Sequence, residues 1–230
     1  MSSLSKALAS VPLFSELAPD ELDAIADCLR RRTFDEREVI VRRDAPGDAL
    51  FIITSGKVKV SVPSDEGETI ICFYSAGDFF GELAILDGEN RSADVTALEP
   101  THALMLSASD VRASIAKYPA IASAFLRELA GRVRRSTESM RTIMTLPVDG
   151  RIAAQLLHLS ETQGMDLPGG SGARLIRLRL TQNDIASFVG ASRESVNKAM
   201  GYLKSKNWIS WDNLHYITIH DHGALRKRCQ

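Results

Sequence analysis

An α+β chain is predicted, an antiparallel β-roll of jelly-roll type followed by a long helix and a winged helix-turn-helix, and three observations predict it. Residues 57–62 alternate strictly between polar side chains and valine, residues 126–143 repeat a stripe at steps of three and four, and Thr181–Leu203 reads as two capped helices around a glycine turn. A chain of 230 residues supports one to two domains, and 44% hydrophobic with 25% charged residues is a globular composition, not a disordered or collagen-like one. The predicted boundaries are 1–117 for the β-roll, 118–146 for the long helix and 147–230 for the winged unit.

The roll comes first. Pro19-Asp20-Glu21-Leu22 opens a helix with proline and acids in its first turn, and Leu22, Ile25, Ala26 and Leu29 recur at helical spacing. In Lys57-Val58-Lys59-Val60-Ser61-Val62 the alternation places the valines on one face, as a half-buried strand requires. Further strands are expected at LFIIT (50–54), TIICFY (69–74), DVTAL (94–98) and ALML (103–106), punctuated by Gly47, Gly56, Gly67, Gly77 and Gly88.

In the long helix the stripe is Leu126, Leu129, Val133, Ser136, Met140 and Ile143, flanked by Arg132, Arg134 and Arg135. A narrow seam with charged flanks is typical of a helix that pairs with its twin, the alternative being packing on its own β domain. Ser136 and Thr137 bring two hydroxyls to mid-helix, where burial without a partner would cost ~1–3 kcal/mol, so something should hydrogen-bond them. Pro147 ends the helix and marks a hinge.

Beyond the hinge come an amphipathic helix, GRIAAQLLHLSE (150–161), a loop holding Pro168-Gly169-Gly170-Ser171-Gly172, and a strand-like RLIRLRL (174–180). Thr181 caps a helix with Asp184 three places on, and Ile185, Ala186, Phe188 and Val189 supply its packed side. Gly190 turns the chain. Ser192 caps a second helix that sends Val196, Met200 and Leu203 inward and leaves Arg193, Glu194, Asn197 and Lys198 outward. NWISW (207–211), the turn residues Asp212-Asn213 and LHYITI (214–219) read as a β-hairpin, hence a wing. Such a helix presents its N-terminal residues to base edges, where Arg bonds guanine and a carboxylate accepts from cytosine. The expected DNA-contacting set is therefore Thr181, Gln182, Ser192, Arg193, Glu194, Ser195, Asn197 and Lys198, with double-stranded DNA as partner.

Charge agrees with two jobs. Up to Leu146 there are 17 Lys+Arg against 22 Asp+Glu, a balance of −5, and beyond it 11 against 7, a balance of +4, so only the second half is suited to a polyanion. A second candidate site lies at GELAILDGENRSA (81–93). Gly81 permits close backbone approach, Glu82 to Leu86 can form one helical turn with free N–H groups, and Arg91 with Ser92 offers donors suited to phosphate. Glu82 repels phosphate and better accepts from a sugar hydroxyl. Taken alone, a surface Arg91 pairing with Asp87 or Glu89 explains the segment more plainly.

Other classes find little support. Cys28, Cys72 and Cys229 are scattered without C-x-x-C spacing, so no disulfide framework, cysteine-only metal site or iron–sulfur sensor is readable. His102, His158, His215, His220 and His222 suggest no base–nucleophile arrangement, and His220-Asp221-His222 reads as a solvated end, so no catalytic residues and no metal are expected. No apolar run approaches the ~18–20 residues of a bilayer span, and the N-terminus lacks the pattern of a secretory signal, so a cytoplasmic protein is expected.

Phe80-Gly81-Glu82-Leu83 with Arg91-Ser92, then the long helix, then Ser192-Arg193-Glu194-Ser195-Val196-Asn197-Lys198 in a winged helix together resemble the cyclic AMP receptor branch of the CRP/FNR transcription regulators. The resemblance covers nearly the whole chain. It implies a cyclic-nucleotide-binding roll in which Gly81, Glu82, Leu83 and Ala84 with Arg91 and Ser92 form the phosphate-binding cassette, Glu82 taking the ribose 2′-hydroxyl. It also implies that Ser136 and Thr137 meet the purine, one from each subunit of a homodimer sealed by Leu126, Leu129, Val133, Met140 and Ile143. Cyclic AMP as effector, a two-fold TGTGA-like operator and RNA polymerase as a further partner follow by the same route. The pattern departs in two places, with Ser136-Thr137 where Thr-Ser is frequent and Lys198 where Arg is frequent. The alternative within the family is a regulator answering to cyclic GMP or another ligand, or binding DNA without one.

Overall fold

A computed structural model describes residues 2–65, 67–168 and 172–229, so the glycine loop expected at 168–172 falls largely outside the described residues. The chain forms two compact units, Met1–Val133 and Arg134–Gln230. Among the described residues no helix is long and apolar enough to cross a membrane.

The first unit opens with α1 (Ser3–Ala9), a 3₁₀ turn (Pro12–Phe14) and α2 (Pro19–Ala26). Glu21 accepts from the Ala18 N–H at 2.8 Å, closing the start of α2, which ends three residues short of Leu29. Strands β1 (Arg30–Phe34), β2 (Val39–Val41), β3 (Ala49–Ser55), β4 (Lys57–Ser64), β5 (Gly67–Ser75) and β6 (Phe79–Phe80) follow. One helical turn, α3 (Leu83–Leu86), precedes β7 (Asp94–Ala97) and β8 (Thr101–Ser107), then α4 (Ala108–Lys117) and α5 (Pro119–Thr145). The strands build two antiparallel four-stranded sheets, β1-β8-β3-β6 and β2-β7-β4-β5.

Strand β3 explains how the layers hold together. Its first five residues are all buried because it is covered on both sides: Leu50 and Ile52 join Leu104, Leu106, Ile121 and Phe125 beneath the helices, while Ala49, Phe51 and Ile53 join Phe34, Val58, Phe80 and Val95 between the sheets. The expected alternation of β4 holds only in part. A bulge shifts the register between Val60 and Ser61, which buries Ser61 and leaves Val62 half-exposed, because an extra residue reverses the faces beyond it.

The second unit takes up the end of α5 and continues with α6 (Val148–Gln163), β9 (Gly164–Asp166), β10 (Arg174–Ile176), α7 (Gln182–Val189), α8 (Arg193–Ser205), β11 (Ile209–Trp211), β12 (Ile217–Ile219) and α9 (His222–Arg228). The sheet order is β11-β12-β10-β9. Two expectations are corrected. RLIRLRL pairs only over Arg174–Ile176, because the Arg177 amide turns to the Gln163 carbonyl and the Leu180 amide to that of His215. The hairpin turn is not the two residues Asp212-Asn213: Trp211 pairs with Ile217, leaving a five-residue loop in which Asp212 accepts from the Leu214 and Tyr216 amides and His215 takes a left-handed φ of 66°. His220 and Asp221 are exposed, Asp221 also caps α9 through the Ala224 amide, and half-buried His222 lies 3.3 Å from Ser160.

Along α5, Leu126 (69% exposed), Val133 (65%), Met140 (62%) and Ile143 (43%) present an apolar stripe to solvent, with Leu129 half-buried. Ser136 and Thr137 stand exposed on the same helix.

Candidate ligand cradle and nucleic-acid interface

In the first unit the candidate cradle is set by a glycine and two buried charges. Gly81 has φ +90°, and a Cβ there would meet Arg91 Nη1 at 2.5 Å and the Ala49 carbonyl at 2.8 Å, so only glycine fits both backbone and space. Arg91 is 5% exposed. It donates from Nη1 to the Gly81 carbonyl and from Nη2 to the Ala49 carbonyl, both at 2.7 Å, with Asp48 Oδ1 at 3.4 Å. Its own backbone bonds the 42–48 loop on both sides, through the Asp44 amide and the Ala45 carbonyl. Neither Asp87 nor Glu89 engages it, and the plain reading of Arg91 as a surface pair is thereby overturned; Asp87 instead accepts from the Glu89 amide. Burial lowers the Arg91 pKa, and the nearby charges of Asp48 and Glu82 pull it back.

Glu82 is 2% exposed. Its Oε1 accepts from Arg132 Nη1 at 2.7 Å, while Oε2 is buried without a hydrogen-bond partner. Burial raises the Glu82 carboxyl and Arg132 resists that rise. The amides of Leu83 and Ala84 precede the first bond of α3, made by the Ile85 amide to the Glu82 carbonyl. Ala84 is buried, Leu83 is 41% exposed and Ser92 is exposed. A buried cation beside a buried carboxylate oxygen that lacks a donor suits a ligand carrying an anion next to a hydroxyl.

Arg132 is the residue sequence reasoning missed, having read it as a flank of the helix seam. Its guanidinium lies 4.9 Å from the ring centroids of both Tyr74 and Phe79, donates to the Phe79 carbonyl at 2.8 Å and reaches Glu128 at 3.1 Å. Fifty residues separate it from Glu82, and no local spacing signals that pairing.

In the second unit the two reading helices are capped as expected. Thr181 Oγ1 accepts from the Asp184 amide at 3.1 Å and Asp184 returns a bond to the Thr181 amide at 2.8 Å. Gly190 closes α7 at φ 62°, and Ser192 Oγ accepts from the Ser195 amide at 3.2 Å. Val196, Met200 and Leu203 are buried, whereas Arg193, Glu194, Asn197 and Lys198 are exposed and their side chains make no hydrogen bond or ion pair to another described residue. Thr181, Ser192 and Ser195 are occupied by capping, and Gln182 is half-buried. An open cleft of about 640 Å³ is lined by Thr181, Gln182 and Arg193 together with Trp211, Asn213 and His215 of the wing. The edge mixes exposed Arg193, Lys198 and Asn197 with the acids Glu194 and Asp212, and its cations suit contact with a polyanion. Among the described residues no cluster of three or more His, Cys, Asp or Glu is placed to hold a metal ion.

Comparison with known proteins gives matching assignments for both regions. Residues 31–118 match the cyclic nucleotide-binding domain family and residues 150–228 the Crp-like helix-turn-helix domain family. The chain is 32% identical over 228 residues, 99% of its length and 100% of the relative's, to the CRP-like cAMP-activated global transcriptional regulator of Mycobacterium tuberculosis. It is 29% identical over 180 residues, 77% of its length and 83% of the relative's, to the cAMP-activated global transcriptional regulator CRP of Escherichia coli. Among solved structures, FixK2 of Bradyrhizobium japonicum shares the fold with a TM-score of 0.77 at 18% identity, over 88% of this chain and 98% of that one.

Proposed function

The chain belongs to the CRP/FNR family of transcription regulators, and from that premise we propose that it is a cyclic-AMP-responsive, sequence-specific DNA-binding regulator acting as a homodimer on a palindromic TGTGA-like operator. The family consists of transcription regulators, not enzymes. The observation that carries the ligand assignment is the buried Glu82 Oε2 without a donor, lying where the Glu82 charge acts on Arg91. A ribose 2′-hydroxyl next to a cyclic phosphate supplies the donor and the anion together, with Gly81, Leu83, Ala84 and Ser92 completing the contacts. Ser136 and Thr137 take the purine, and the exposed stripe of Leu126, Val133, Met140 and Ile143, with Leu129, pairs with the same stripe of a second chain, which explains five apolar side chains along one helix.

In the DNA-binding unit Arg193 and Glu194 read base edges, Lys198 and Asn197 assist, and Thr181, Gln182, Ser192 and Ser195 meet the phosphate backbone. The segments 1–117, 118–146 and 147–230 thus bind ligand, pair and read DNA. RNA polymerase is the downstream partner and the cytoplasm the site of action. Binding the nucleotide shifts the dimer between two states only by its differential affinity for them, a coupling of ~1–3 kcal/mol.

Titration of a labelled palindromic TGTGA duplex at fixed salt, with and without cyclic AMP or cyclic GMP, tests the proposal. Cyclic AMP is expected to tighten binding about 5–150-fold. Equal binding in all three conditions would defeat the effector assignment, and a larger gain with cyclic GMP would replace the effector.

A further inference from the structure

Resting on that functional reading, we propose that Arg151 is a positioning residue that ties the end of α5 to the turn of the helix-turn-helix, so that the aim of α8 follows the end of the long helix. The observation lies wholly within the second unit. Arg151 Nε donates to the Leu146 carbonyl at 3.0 Å, and Nη1 of the same guanidinium donates to the Gly190 carbonyl at 3.2 Å. Both acceptors sit at helix C-termini. Leu146 follows the last residue of α5, its amide still bonded to the Thr142 carbonyl at 3.1 Å, and Gly190 is the left-handed cap of α7. Carbonyls there have no partner within their helix and carry the negative end of its dipole, so one cation serves two helix ends.

The chemistry of the side chain makes the link stiff. A guanidinium is planar, permanently charged and offers donors on separate edges in fixed geometry, which a single ammonium cannot copy. Its base is also held. Pro147 fixes φ at −66° before α6, the Arg151 amide bonds the Pro147 carbonyl at 3.0 Å, and Gly150 is so close to α9 that a Cβ would meet the Arg228 carbonyl at 2.7 Å. From the Gly190 carbonyl the chain runs through Ala191 to Ser192, the cap of α8, and then to Arg193 and Glu194. A displacement of the Leu146 carbonyl therefore reaches the first turn of α8 through a single rigid group.

The test compares full-length wild type, Arg151→Gln and Arg151→Lys. Three quantities are read: DNA affinity with and without cyclic AMP, cyclic AMP affinity of the DNA-free protein, and hydrogen exchange of the Leu146 and Ala191 amides without ligand or DNA. Arg151→Gln is expected to cut the cyclic-AMP-induced gain in DNA affinity about tenfold, within the usual range of allosteric coupling, while nucleotide affinity changes less than about twofold. Both amides should exchange faster in the same variant. A fall in DNA affinity that is equal with and without cyclic AMP would make Arg151 a merely structural residue and overturn the proposal. A full gain in Arg151→Lys would also overturn it, since one point charge would then suffice. If wild-type DNA binding ignores cyclic AMP, the functional reading fails on its own, and exchange still decides the link: faster exchange at both amides upholds it, and unchanged exchange overturns it.

Discussion

The two candidate sites are built on opposite plans. In the first unit the charges of the candidate cradle are buried and already committed: Arg91 holds the Gly81 and Ala49 carbonyls, and Arg132 holds Glu82 and the Phe79 carbonyl. In the second, Arg193, Glu194, Asn197 and Lys198 stand in solvent on a helix whose stability rests on Val196, Met200 and Leu203 on its other face. The difference follows from the ligands each surface suits. A small anion must be recognised by a few atoms, so its receptor is rigid and dry, and low exposure strengthens each polar contact. A duplex is long and regular, and a row of free side chains can test its base edges without being part of the fold.

The sharpest way to break this comparison is Arg91→Ala. Removing the guanidinium takes the donor from the Gly81 and Ala49 carbonyls, each loss costing about 1–3 kcal/mol, and deletes the cation proposed to face the phosphate. Calorimetry should show cyclic AMP binding lost, and thermal unfolding should show the first unit destabilised with the second unchanged. Unaltered nucleotide binding would refute the cradle, and unaltered stability would show that its charges are as free as those of α8. The converse is Glu194→Ala. Discrimination at one base pair should relax by ~1–3 kcal/mol while stability stays within about 0.5 kcal/mol and nucleotide binding is untouched. Uniform weakening on every sequence would make Glu194 structural.

The smallest effect concerns acidity. Burial raises the carboxyls of Glu82 and Asp78 in the first unit and lowers the imidazoles of His158 and His222 in the second. As pH falls, the folded first unit takes up protons at Glu82 and Asp78 before the unfolded chain does and gains stability, down to the ordinary values of 4.5 and 3.8. The lowered carboxyls of Glu68 and Asp23 act against this only below those values. In the second unit the unfolded chain protonates first, near 6.5, so stability is lost from there downward to the lowered folded values. Both tryptophans, Trp208 and Trp211, lie in the second unit, so fluorescence-monitored unfolding follows it alone. Its midpoint should fall between pH 7 and 5.5, and His158→Gln should flatten that slope; a level profile in wild type would remove the imidazoles from the contrast.

The legibility of the two sites differs for the same reason. The reading helix was visible in the sequence because caps, glycine turn and outward residues all lie within Thr181–Leu203, and each is a local rule. The cradle motif was visible as residue types, but not its wiring, because Arg91 is bonded across ten residues to Gly81 and forty-two to Ala49, and Glu82 across fifty to Arg132. The terminal helix α9 went unread among its basic residues because it buries a single apolar side chain, Leu225, and so has no stripe to detect.

Periodicity, capping and turn chemistry in the amino-acid order determined the strand at 57–62, the long helix and the two capped helices around Gly190, and they marked the segments proposed to hold an anion and to meet DNA. Only the tertiary structure decided that Arg91 would be buried instead of pairing at the surface, that Arg132 would close on Glu82, that a bulge would turn Ser61 inward, and that Arg151 would span two helix ends. Those choices depend on burial and on contacts between residues distant in the chain, where a polar group must find a donor or acceptor wherever the packed fold supplies one.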